Sequence, residues 1–521
     1  MSERVREVGG GWLGALEGIC GAGFVSIGKA DLLAVSRDMW PRSLIAQRGQ
    51  FEMPQPEAVV WPKDVEEVAA VVRVAAEFGR NIIPFGAGSG VCGGTYPLRG
   101  GWVLDMKRMN RILALDEQDA VLRVECGAVG EVLERELQRR GWTLGHFPSS
   151  ILCSTVGGWV AGRSAGQCSS RYGKIEDMLL SLRWVDAQGE IEQSPSWPAG
   201  HAPWSIDPLL AGSEGTLGVL CEAEFLIRPL CEQRHFAAYR FPSVDSGMDA
   251  MRLALRQGLR PSVLRLYDEF DTIIAKTGPE ENDEPVQGMF AALGDKLRGP
   301  LKAVGSLGLK RVLQVPALLN RVCDMLPGGC LLVVIFEGEE DEQICSAAAF
   351  ETIADRLQAE PLGPGPAEHW WNHRYSVSYK QAPMFMAGAF VDTMEVAATW
   401  DKLPGLYRAV KRSLRSLAFV MAHFSHAYRE GGSIYFTFAA AADDDEAAAS
   451  LYDRIWQAAQ RAVLAEGGIV SHHHGVGLSK APFLIEQMGP AMDLARAGKR
   501  AFDPDDRMNP GKLGFIQDEK A

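Results

Sequence analysis

The stretch Pro84–Gly94, PFGAGSGVCGG, holds five glycines in eleven residues. It directly follows a short apolar segment, which predicts a strand that runs into a turn. Glycine lets the backbone approach a ligand closely, and successive exposed amides form a nest for phosphate groups. The stretch lacks both the GK[ST] of a P-loop and a dinucleotide GxGxxG that opens a helix. Taken alone, it predicts either a plain tight turn or a phosphate-binding turn.

Two further loops of small residues repeat this chemistry along the chain. One is Ser154–Gly166, STVGGWVAGRSAG, and the other is Ala211–Leu220, AGSEGTLGVL. Around them, helices alternate with short strands; Pro62–Arg80, for example, has apolar residues at helical spacing. Three such loops in one region predict a single long ligand that carries phosphate and is wrapped by backbone amides.

Composition limits the class of protein. A chain of 521 residues exceeds what one hydrophobic core normally serves, so we expect at least two domains. The net charge of −13 argues against a nucleic acid partner. The ten cysteines have no paired spacing, which predicts reduced thiols in a cytoplasmic protein. We expect no membrane-spanning segment, because no apolar run is long enough.

The stretch Ser471–Leu478, SHHHGVGL, contains three of the ten histidines. Because consecutive residues of an extended segment alternate faces, at most His472 and His474 point the same way. No CxxC, HExxH or carboxylate cluster stands nearby in the sequence to complete a metal site. A structural polar loop remains an alternative. We favour acid/base or oxyanion chemistry without a metal, since imidazole titrates near neutral pH and neighbouring imidazoles lower each other's proton affinity.

The order of the glycine-rich loops carries a family resemblance. PFGAGSG, then PSSILCSTVGGWVAG with RYGKIED, then GSEGTLGV, resembles the PCMH-type FAD-binding domain of the vanillyl-alcohol-oxidase flavoproteins. Farther along, RPSVLRLYD, GGSIYFTF, SHHHGVG and FDPDDRMNPGKL are similar to the alkyldihydroxyacetonephosphate synthase family and its bacterial homologues. Relatives that oxidise 2-hydroxy acids usually carry a GEHG-type sequence in place of HHHG.

This resemblance implies an α+β flavoprotein that binds FAD. After an N-terminal helical segment, 1–50, a PCMH-type FAD-binding domain of two subdomains is expected over 51–235. An α/β substrate-binding cap domain, with an antiparallel sheet flanked by helices, is expected over 236–455. A C-terminal segment, 456–521, is expected to return the histidines to the flavin. Dimers are usual in this superfamily, so we expect a homodimer.

The resemblance also implies which residues contact FAD. The first loop is expected at the pyrophosphate, the second beside the isoalloxazine and the third at the adenosine half. The implied contacts are Pro84, Gly86, Ala87, Gly88, Ser89, Gly90, Pro148, Ser149, Ser154, Thr155, Gly157, Gly158, Ala161, Glu214, Gly215, Thr216, Gly218 and Val219. Cys153 stands where berberine-bridge-like relatives attach the flavin to a cysteine. Because the partner histidine of those enzymes is absent from the first loop, we expect noncovalent FAD.

For the reaction, the resemblance implies exchange of an acyl for an alkyl group on a ketone substrate, through a flavin N5 adduct and without net redox change. Tyr435, His473 and His474 match the catalytic tyrosine and histidines of the family, and His472 lies beside them. The alternative is an FAD-dependent oxidase or dehydrogenase that acts on a small hydroxy acid, alcohol or amine.

Three cationic residues bear on the substrate. Arg265 matches the arginine of the family's SxRL strand, although a surface salt bridge is the alternative interpretation. Where the family has a phosphate-binding arginine, this chain reads RYSVSYKQAPMF, which places Lys380 or Gln381 at that position and Arg374 a turn or two earlier. Lysine binds phosphate only as a point charge, so the sequence leaves a phosphate on the substrate open.

Two further stretches concern a lipid substrate. Ala382–Val396, APMFMAGAFVDTMEV, combines apolar spacing with adaptable thioethers and predicts either core packing or the lining of an acyl-chain tunnel. Lys296–Arg311, KLRGPLKAVGSLGLKR, predicts either an ordinary amphipathic helix or a peripheral contact with a membrane surface. The expected partner is therefore a small-molecule or lipid substrate.

Overall fold

The computed structural model describes residues 3–196, 205–269, 271–272, 310–324, 329–376 and 382–515. Lys380, Gln381 and positions 296–309 of the basic stretch lie outside the described residues. The helices with described bounds are Glu3–Cys20, Lys29–Ala34, Pro41–Arg48, Val65–Glu77, Gly130–Arg139, Val156–Gly162, Ser169–Tyr172, Ile175–Met178, Asp207–Leu210, Val244–Arg256, Pro316–Asp324, Glu340–Arg356, Gly365–His373, Ala382–Met386, Leu403–Leu414, Asp445–Ala465, Ala481–Met488 and Ala491–Phe502, with short 3₁₀ helices at Ala22–Phe24 and Met106–Arg108.

The first sheet has four short strands that place the first glycine-rich loop. Their spatial order is Val25–Ser26, Ala58–Val60, Trp102–Asp105 and Ile82–Phe85. The last three strands are parallel and the first is antiparallel to its neighbour. The first loop therefore begins at the carboxyl end of the parallel strand Ile82–Phe85, where ligands bind in open sheets of this kind.

The helix before that strand begins and packs as its sequence predicts. Asp64 caps Val65–Glu77, and its carboxylate accepts a hydrogen bond of 2.9 Å from the backbone amide of Glu67. The apolar face of the helix packs into the core of the first sheet through Val68 and Val72. This packing fixes the direction in which the chain enters Ile82–Phe85.

The second sheet is antiparallel and carries the other two glycine-rich loops. Its five strands, in spatial order, are Ile112–Asp116, Val121–Glu125, Val219–Leu226, Leu179–Val185 and Ile191–Gln193. A separate two-stranded ribbon pairs Trp142–Thr143 with Arg228–Pro229. The helix Val156–Gly162 lies within the second glycine-rich stretch, and the third stretch leads into the strand Val219–Leu226. The helix packs against this strand, so the two stretches lie close together.

The third sheet has seven strands, all antiparallel to their neighbours. In spatial order they are Glu360–Gly363, Arg234–Phe241, Cys330–Glu337, Val263–Tyr267, Phe419–Ala427, Gly431–Ala441 and Ala389–Thr399. One face packs on the helices Val244–Arg256, Glu340–Arg356, Leu403–Leu414 and Asp445–Ala465, which contribute to the largest apolar core. The antiparallel cap sheet flanked by helices confirms the predicted α+β class.

The opposite face of the third sheet is polar along one row. Tyr267 pairs with His423, His423 with Tyr435, and Tyr435 with Glu395. Because side chains alternate along a strand, the residues on either side of this row, such as Phe424 and Phe436, point into the helical core. Strand periodicity therefore brings four polar side chains from four strands onto one surface.

No helix within the described ranges is long and apolar enough to cross a membrane. The nine cysteines whose side chains are described form no disulfide bond with one another.

Candidate active site

A cavity of about 1620 Å³ lies between the glycine-rich loops and the polar face of the third sheet. Ordinary ligand pockets measure roughly 300–1,000 Å³, so this cavity has room for a dinucleotide-sized cofactor together with a substrate. The implied FAD contacts that line it are Pro84, Gly86, Ala87, Gly88, Ser89, Gly90, Pro148, Ser149, Ser154, Thr155, Gly157, Gly158, Ala161, Glu214, Gly215 and Gly218.

Two implied FAD contacts lie away from the cavity wall. The Thr216 hydroxyl is buried and donates a hydrogen bond of 2.7 Å to the carbonyl of Ser213. Val219 is completely buried in the core of the first sheet. Both side chains support the third loop from behind, and neither faces the cavity.

The first glycine-rich loop fits an anionic group. The amides of residues 87–90 have no hydrogen-bond acceptor among the described residues, and Gly88 has a φ of +60° that favours glycine. The hydroxyl of Thr95, which also lines the cavity, is buried without a partner there. At Gly86, a Cβ would lie 2.2 Å from the Thr155 hydroxyl, so glycine lets the first two loops touch. These free donors suit a pyrophosphate.

Tyr435 stands in the polar row between two other cavity groups. Its ring stacks on His423, with centroids 4.7 Å apart, and meets His474 edge-on at 5.2 Å. Burial raises the pKa of the Tyr435 hydroxyl to about 12. The phenol is therefore protonated at neutral pH and can donate a hydrogen bond.

The three-histidine loop wraps around the carboxylate of Glu395. This carboxylate accepts hydrogen bonds from the backbone amides of His472 and His474, at 2.5 and 2.9 Å. It also accepts from the Ser471 hydroxyl, at 3.0 Å, and from Lys480 Nζ, at 2.5 Å. Although burial acts to raise the pKa of Glu395, attraction to Lys480 brings it down to about 2. The buried carboxylate is therefore ionised.

The imidazoles of the loop are neutral at physiological pH. Burial lowers the pKa values of His472 and His474 to about 4, and it lowers that of His473 well below the usual value. His473 and His474 line the cavity, whereas His472 lies behind the loop against Tyr428, with ring centroids 5.6 Å apart. Nδ1 of His474 is buried and has no hydrogen-bond partner among the described residues.

His472 and His473 are linked through their Nδ1 atoms, which are 3.0 Å apart. A neutral imidazole carries a hydrogen on only one ring nitrogen, so in this contact one histidine is the Nδ1–H donor and the other accepts. The contact connects the cavity wall with the opposite side of the loop. Within the described parts of the chain, no group of three or more His, Cys, Asp or Glu residues is arranged to hold a metal ion.

Arg265 lines the cavity. Within the described part of the chain, it does not form the surface salt bridge of the alternative interpretation. Its Nη2 lies 2.7 Å from Nε2 of His423, and its Nε donates to the Tyr267 hydroxyl at 2.8 Å. Guanidinium groups only donate, so His423 Nε2 accepts and the ring hydrogen is on Nδ1, which donates to Asp271 at 3.0 Å. Burial raises the pKa of Asp271 to about 7. Arg265 is thus held in a fixed orientation.

Arg374 also lines the cavity. Its guanidinium lies over the rings of Trp371 and Tyr375, at 3.9 and 4.4 Å, and Nη1 donates to the Trp371 carbonyl. The Nε donor of this cation is buried and unpaired among the described residues, whereas Lys380 lies outside them.

Four functional residues escape sequence reasoning: Glu395, Lys480, His423 and Asp271. Glu395 lies in the methionine-rich run, where it interrupts an apolar pattern, and Lys480 follows the histidines closely in SHHHGVGLSK. An acidic residue inside an apolar run, together with a lysine just after the histidine loop, is the sequence signal that could have indicated this pair. His423 and Asp271 left no comparable signal.

Glu214 has a second contact beyond its predicted place at the cofactor. Its carboxylate accepts hydrogen bonds from the backbone amides of Val476 and Gly477, at 2.5 and 2.8 Å. The histidine loop is thus held by Glu395 of the third sheet at one end and by Glu214 of the third glycine-rich loop at the other.

Comparison with known proteins agrees with this geometry. Residues 56–194 match the FAD binding domain model, and residues 230–513 match the model of the C-terminal domain of FAD linked oxidases. The chain belongs to the FAD-linked oxidase family. FAD is therefore its cofactor, and the protein is an FAD-dependent enzyme, either an alkyl transferase or an oxidoreductase.

Similar proteins include members of both reaction classes. An alkyldihydroxyacetonephosphate synthase of Trypanosoma brucei brucei is 30% identical over 492 residues, which cover 92% of this chain and 75% of that protein. An uncharacterized FAD-linked oxidoreductase of Escherichia coli strain K12 is 26% identical over 486 residues, covering 90% and 91%. FAD-linked oxidase relatives thus differ in the reaction that their names state.

Solved structures show the same architecture. An alkyldihydroxyacetonephosphate synthase matches with a TM-score of 0.75 at 25% identity, over 96% of this chain and 86% of that one. p-Cresol methylhydroxylase with substrate bound matches with a TM-score of 0.72 at 15% identity, over 98% and 97%, which shows the fold alone. The predicted PCMH-type fold is confirmed.

We expect this member of the FAD-linked oxidase family to hold its flavin without a covalent bond. Cys153 lines the cavity, and its thiol donates to the Ser150 carbonyl at 3.5 Å. After acid precipitation of the purified yellow protein, the flavin should be in the supernatant, measured by absorbance. Flavin that stays in the pellet of the parent protein, and leaves it in a Cys153→Ser variant, would instead show a thioether bond.

Proposed function

We propose that this enzyme exchanges an acyl group for an alkyl group on a ketone-bearing lipid substrate, with no net oxidation. The observation that carries the proposal is the change of polarity along one wall of the cavity. The wall is polar at Tyr435 and the histidines and becomes apolar farther along the same strands. The named synthase relatives support the same reaction class.

The apolar part of this wall continues from the polar row. Tyr435 is followed on the cavity side by Thr437 and Ala439, and Ala439 pairs with Val391 and Phe419. At about 3.4 Å per residue, the path from Tyr435 to Ala439 is about 14 Å long. Met384, Phe385 and Met421 complete this apolar wall, and Met386, which is 88% exposed, lines its rim. Such a channel suits an acyl or alkyl chain.

The polar end contains the groups that proton transfer needs. When bound, FAD supplies a ring system that can accept and return electron density at the reacting carbon. We assign Nδ1 of His474 as the base that takes a proton from the carbon next to the ketone. The Tyr435 hydroxyl is assigned to donate a hydrogen bond to the ketone oxygen. Both groups have the protonation state at neutral pH that these roles require.

Two arginines support an anionic head group on the substrate. Arg265 and Arg374 both line the cavity, and each is oriented by neighbouring aromatic side chains. Arginine binds phosphate or carboxylate through several donors at once. Arg374 supplies a cation in the stretch where the sequence lacks the family's arginine. A ketone with a phosphate at one end and an acyl chain at the other fits these features.

The exchange can be tested under anaerobic conditions with the purified FAD enzyme, an acyl dihydroxyacetone phosphate and a long-chain alcohol. We expect mass spectrometry to show the alkyl product and the released fatty acid in equal amounts. The flavin absorbance should be unchanged when turnover ends. Lasting bleaching with a small hydroxy acid or alcohol, without exchange, would support the oxidoreductase alternative that the Escherichia coli relative suggests.

The Ala439→Phe variant tests where the apolar channel lies. Because Ala439 is buried between Val391 and Phe419, a larger side chain at this position narrows the channel along its apolar wall without altering the polar row. The variant should keep its FAD and prefer shorter chains than the parent enzyme. An unchanged chain-length preference would contradict the position of the channel.

We further propose that the enzyme is a cytoplasmic homodimer that meets membranes only peripherally. The lack of a disulfide bond among the described cysteines supports the compartment, and the usual assembly of the superfamily supports the dimer. The exposed rim residues Met386 and Met39 support a membrane contact. Light scattering after size exclusion would measure the mass in solution, and vesicle sedimentation would measure the membrane contact.

A further inference from the structure

Glu395 and Lys480 form an ion pair inside the protein, next to the three histidines. The exposed fraction of both side chains is 0%. Besides Lys480, the Glu395 carboxylate receives donors from Ser471, His472 and His474. Lys480 also donates to the Ser471 hydroxyl, at 3.0 Å. The pair therefore fixes the backbone at both the first and the last histidine of the run.

Stability alone is a poor explanation for this pair. Removing two charges from water costs several kcal/mol per ion, and apolar replacement of a buried pair is often neutral or stabilising. Its location gives a different explanation. Glu395 is the register partner of Tyr435 in the third sheet. The carboxylate that holds the histidine loop thus lies directly beside Tyr435, which is assigned to the same proton transfer as His474.

We propose that Glu395 and Lys480 are a positioning pair, which sets the place of His474 relative to Tyr435 and the electrostatic field at its ring. Neither residue lines the cavity, so neither contacts the substrate. The proposal rests on the proton-transfer role assigned to His474. Glu395 and Lys480 affect the reaction only indirectly, through the position and the electrostatic environment of His474.

The field at His474 comes from groups on two elements. Glu395, Tyr435 and His426 act on it from the third sheet. His472, His473 and Lys480 belong to the loop and the residues after it. Apart from burial, which lowers the pKa of His474 most, Glu395 raises this pKa while Lys480 and His472 lower it. The two members of the pair therefore act on the base in opposite directions.

Single variants test the field. His474 acts as a base when it is unprotonated, so activity falls as pH drops through its pKa. Lys480→Met removes a group that lowers this pKa, and the acid limb of the kcat profile should move to higher pH. Glu395→Gln removes the group that raises it, and the acid limb should move to lower pH. Rates are measured per bound flavin; shifts in the same direction, or none, would overturn the proposal.

Two further variants test the position. Glu395→Asp keeps both charges but shortens the side chain, and the double variant Glu395→Gln/Lys480→Met leaves no unpaired buried charge. Both should retain FAD. Since a misplacement of about 1 Å can cost about a hundredfold, we expect kcat per bound flavin to fall about tenfold to a hundredfold in each. An unchanged kcat in both variants would overturn the proposal, and the Asp variant decides if the double variant does not fold.

The control is an ion pair in the second sheet, away from the cavity. Arg123 donates to the Glu222 carboxylate at 2.5 and 2.9 Å, Glu222 is buried, and neither residue lines the cavity. The Arg123→Met/Glu222→Gln variant should change stability and leave kcat per bound flavin unchanged. If His474→Gln lowers the rate while the Glu395 and Lys480 variants do not, only the positioning pair fails. If His474→Gln has no effect, the proton-transfer role itself fails.

Discussion

Replacing His474 by Gln is expected to reduce turnover per bound flavin by about 10²- to 10⁴-fold, the contribution typical of a general acid or base. His474 presents a buried Nδ1 without a partner among the described residues, and burial keeps its pKa at about 4. The ring is therefore the free base at neutral pH. Glutamine keeps the polarity of the side chain but cannot accept and return a proton in this way.

FAD binding should survive this substitution. The amides expected to hold the pyrophosphate belong to residues 87–90, and the backbone amide of His474 keeps its bond to Glu395 in the variant. Flavin content is measured by absorbance, and the rate is divided by it. A purely structural loop gives the reverse result, in which flavin content or melting temperature falls and the rate per bound flavin stays normal.

Tyr435→Phe is the second substitution with a large expected effect. The phenol is protonated at neutral pH because burial raises its pKa to about 12, so it can donate to the ketone oxygen at the moment of proton transfer. Loss of this donor should reduce kcat by about 10²-fold or more, within the range for general acids. Phenylalanine retains the ring stacking on His423, so the sheet should be unaffected.

The double variant tests whether Tyr435 and His474 act on the same step. Residues that act as a unit have non-additive effects, so Tyr435→Phe with His474→Gln should cost less than the product of the two single losses. The cycle uses kcat per bound flavin for the parent, both single variants and the double variant. Fully multiplicative losses would show that the two residues serve separate steps.

Sequence alone predicts the parts of this site that depend on local pattern. Glycine-rich loops and the histidine run are continuous in the chain, so the residue types and their spacing are enough to indicate their chemistry. Thr216 and Val219 belong to the third loop, but the Thr216 hydroxyl bonds back to Ser213 and the Val219 side chain lies in the core at the start of a strand. The face on which a side chain lies depends on strand register, which a loop motif does not specify.

The residues that sequence misses are joined only by the tertiary fold. Glu395 and Lys480 are 85 positions apart, and Asp271 and His423 are 152 positions apart. Each pair meets because antiparallel strands and the returning C-terminal segment bring distant residues together. A buried charge is recognisable as functional only when its partner is known, so a single sequence cannot identify it.

Glu214 and Glu395 also make the cofactor and the histidines thermodynamically dependent on each other. Glu214 belongs to the third glycine-rich loop and Glu395 to the third sheet. Both carboxylates accept hydrogen bonds from the backbone of the histidine loop. If substrate binding orders the histidine loop, FAD binding no longer has to provide the entropy cost of ordering the same loop. Because linkage is reciprocal, substrate should strengthen the equilibrium binding of FAD by the factor by which FAD strengthens the binding of substrate.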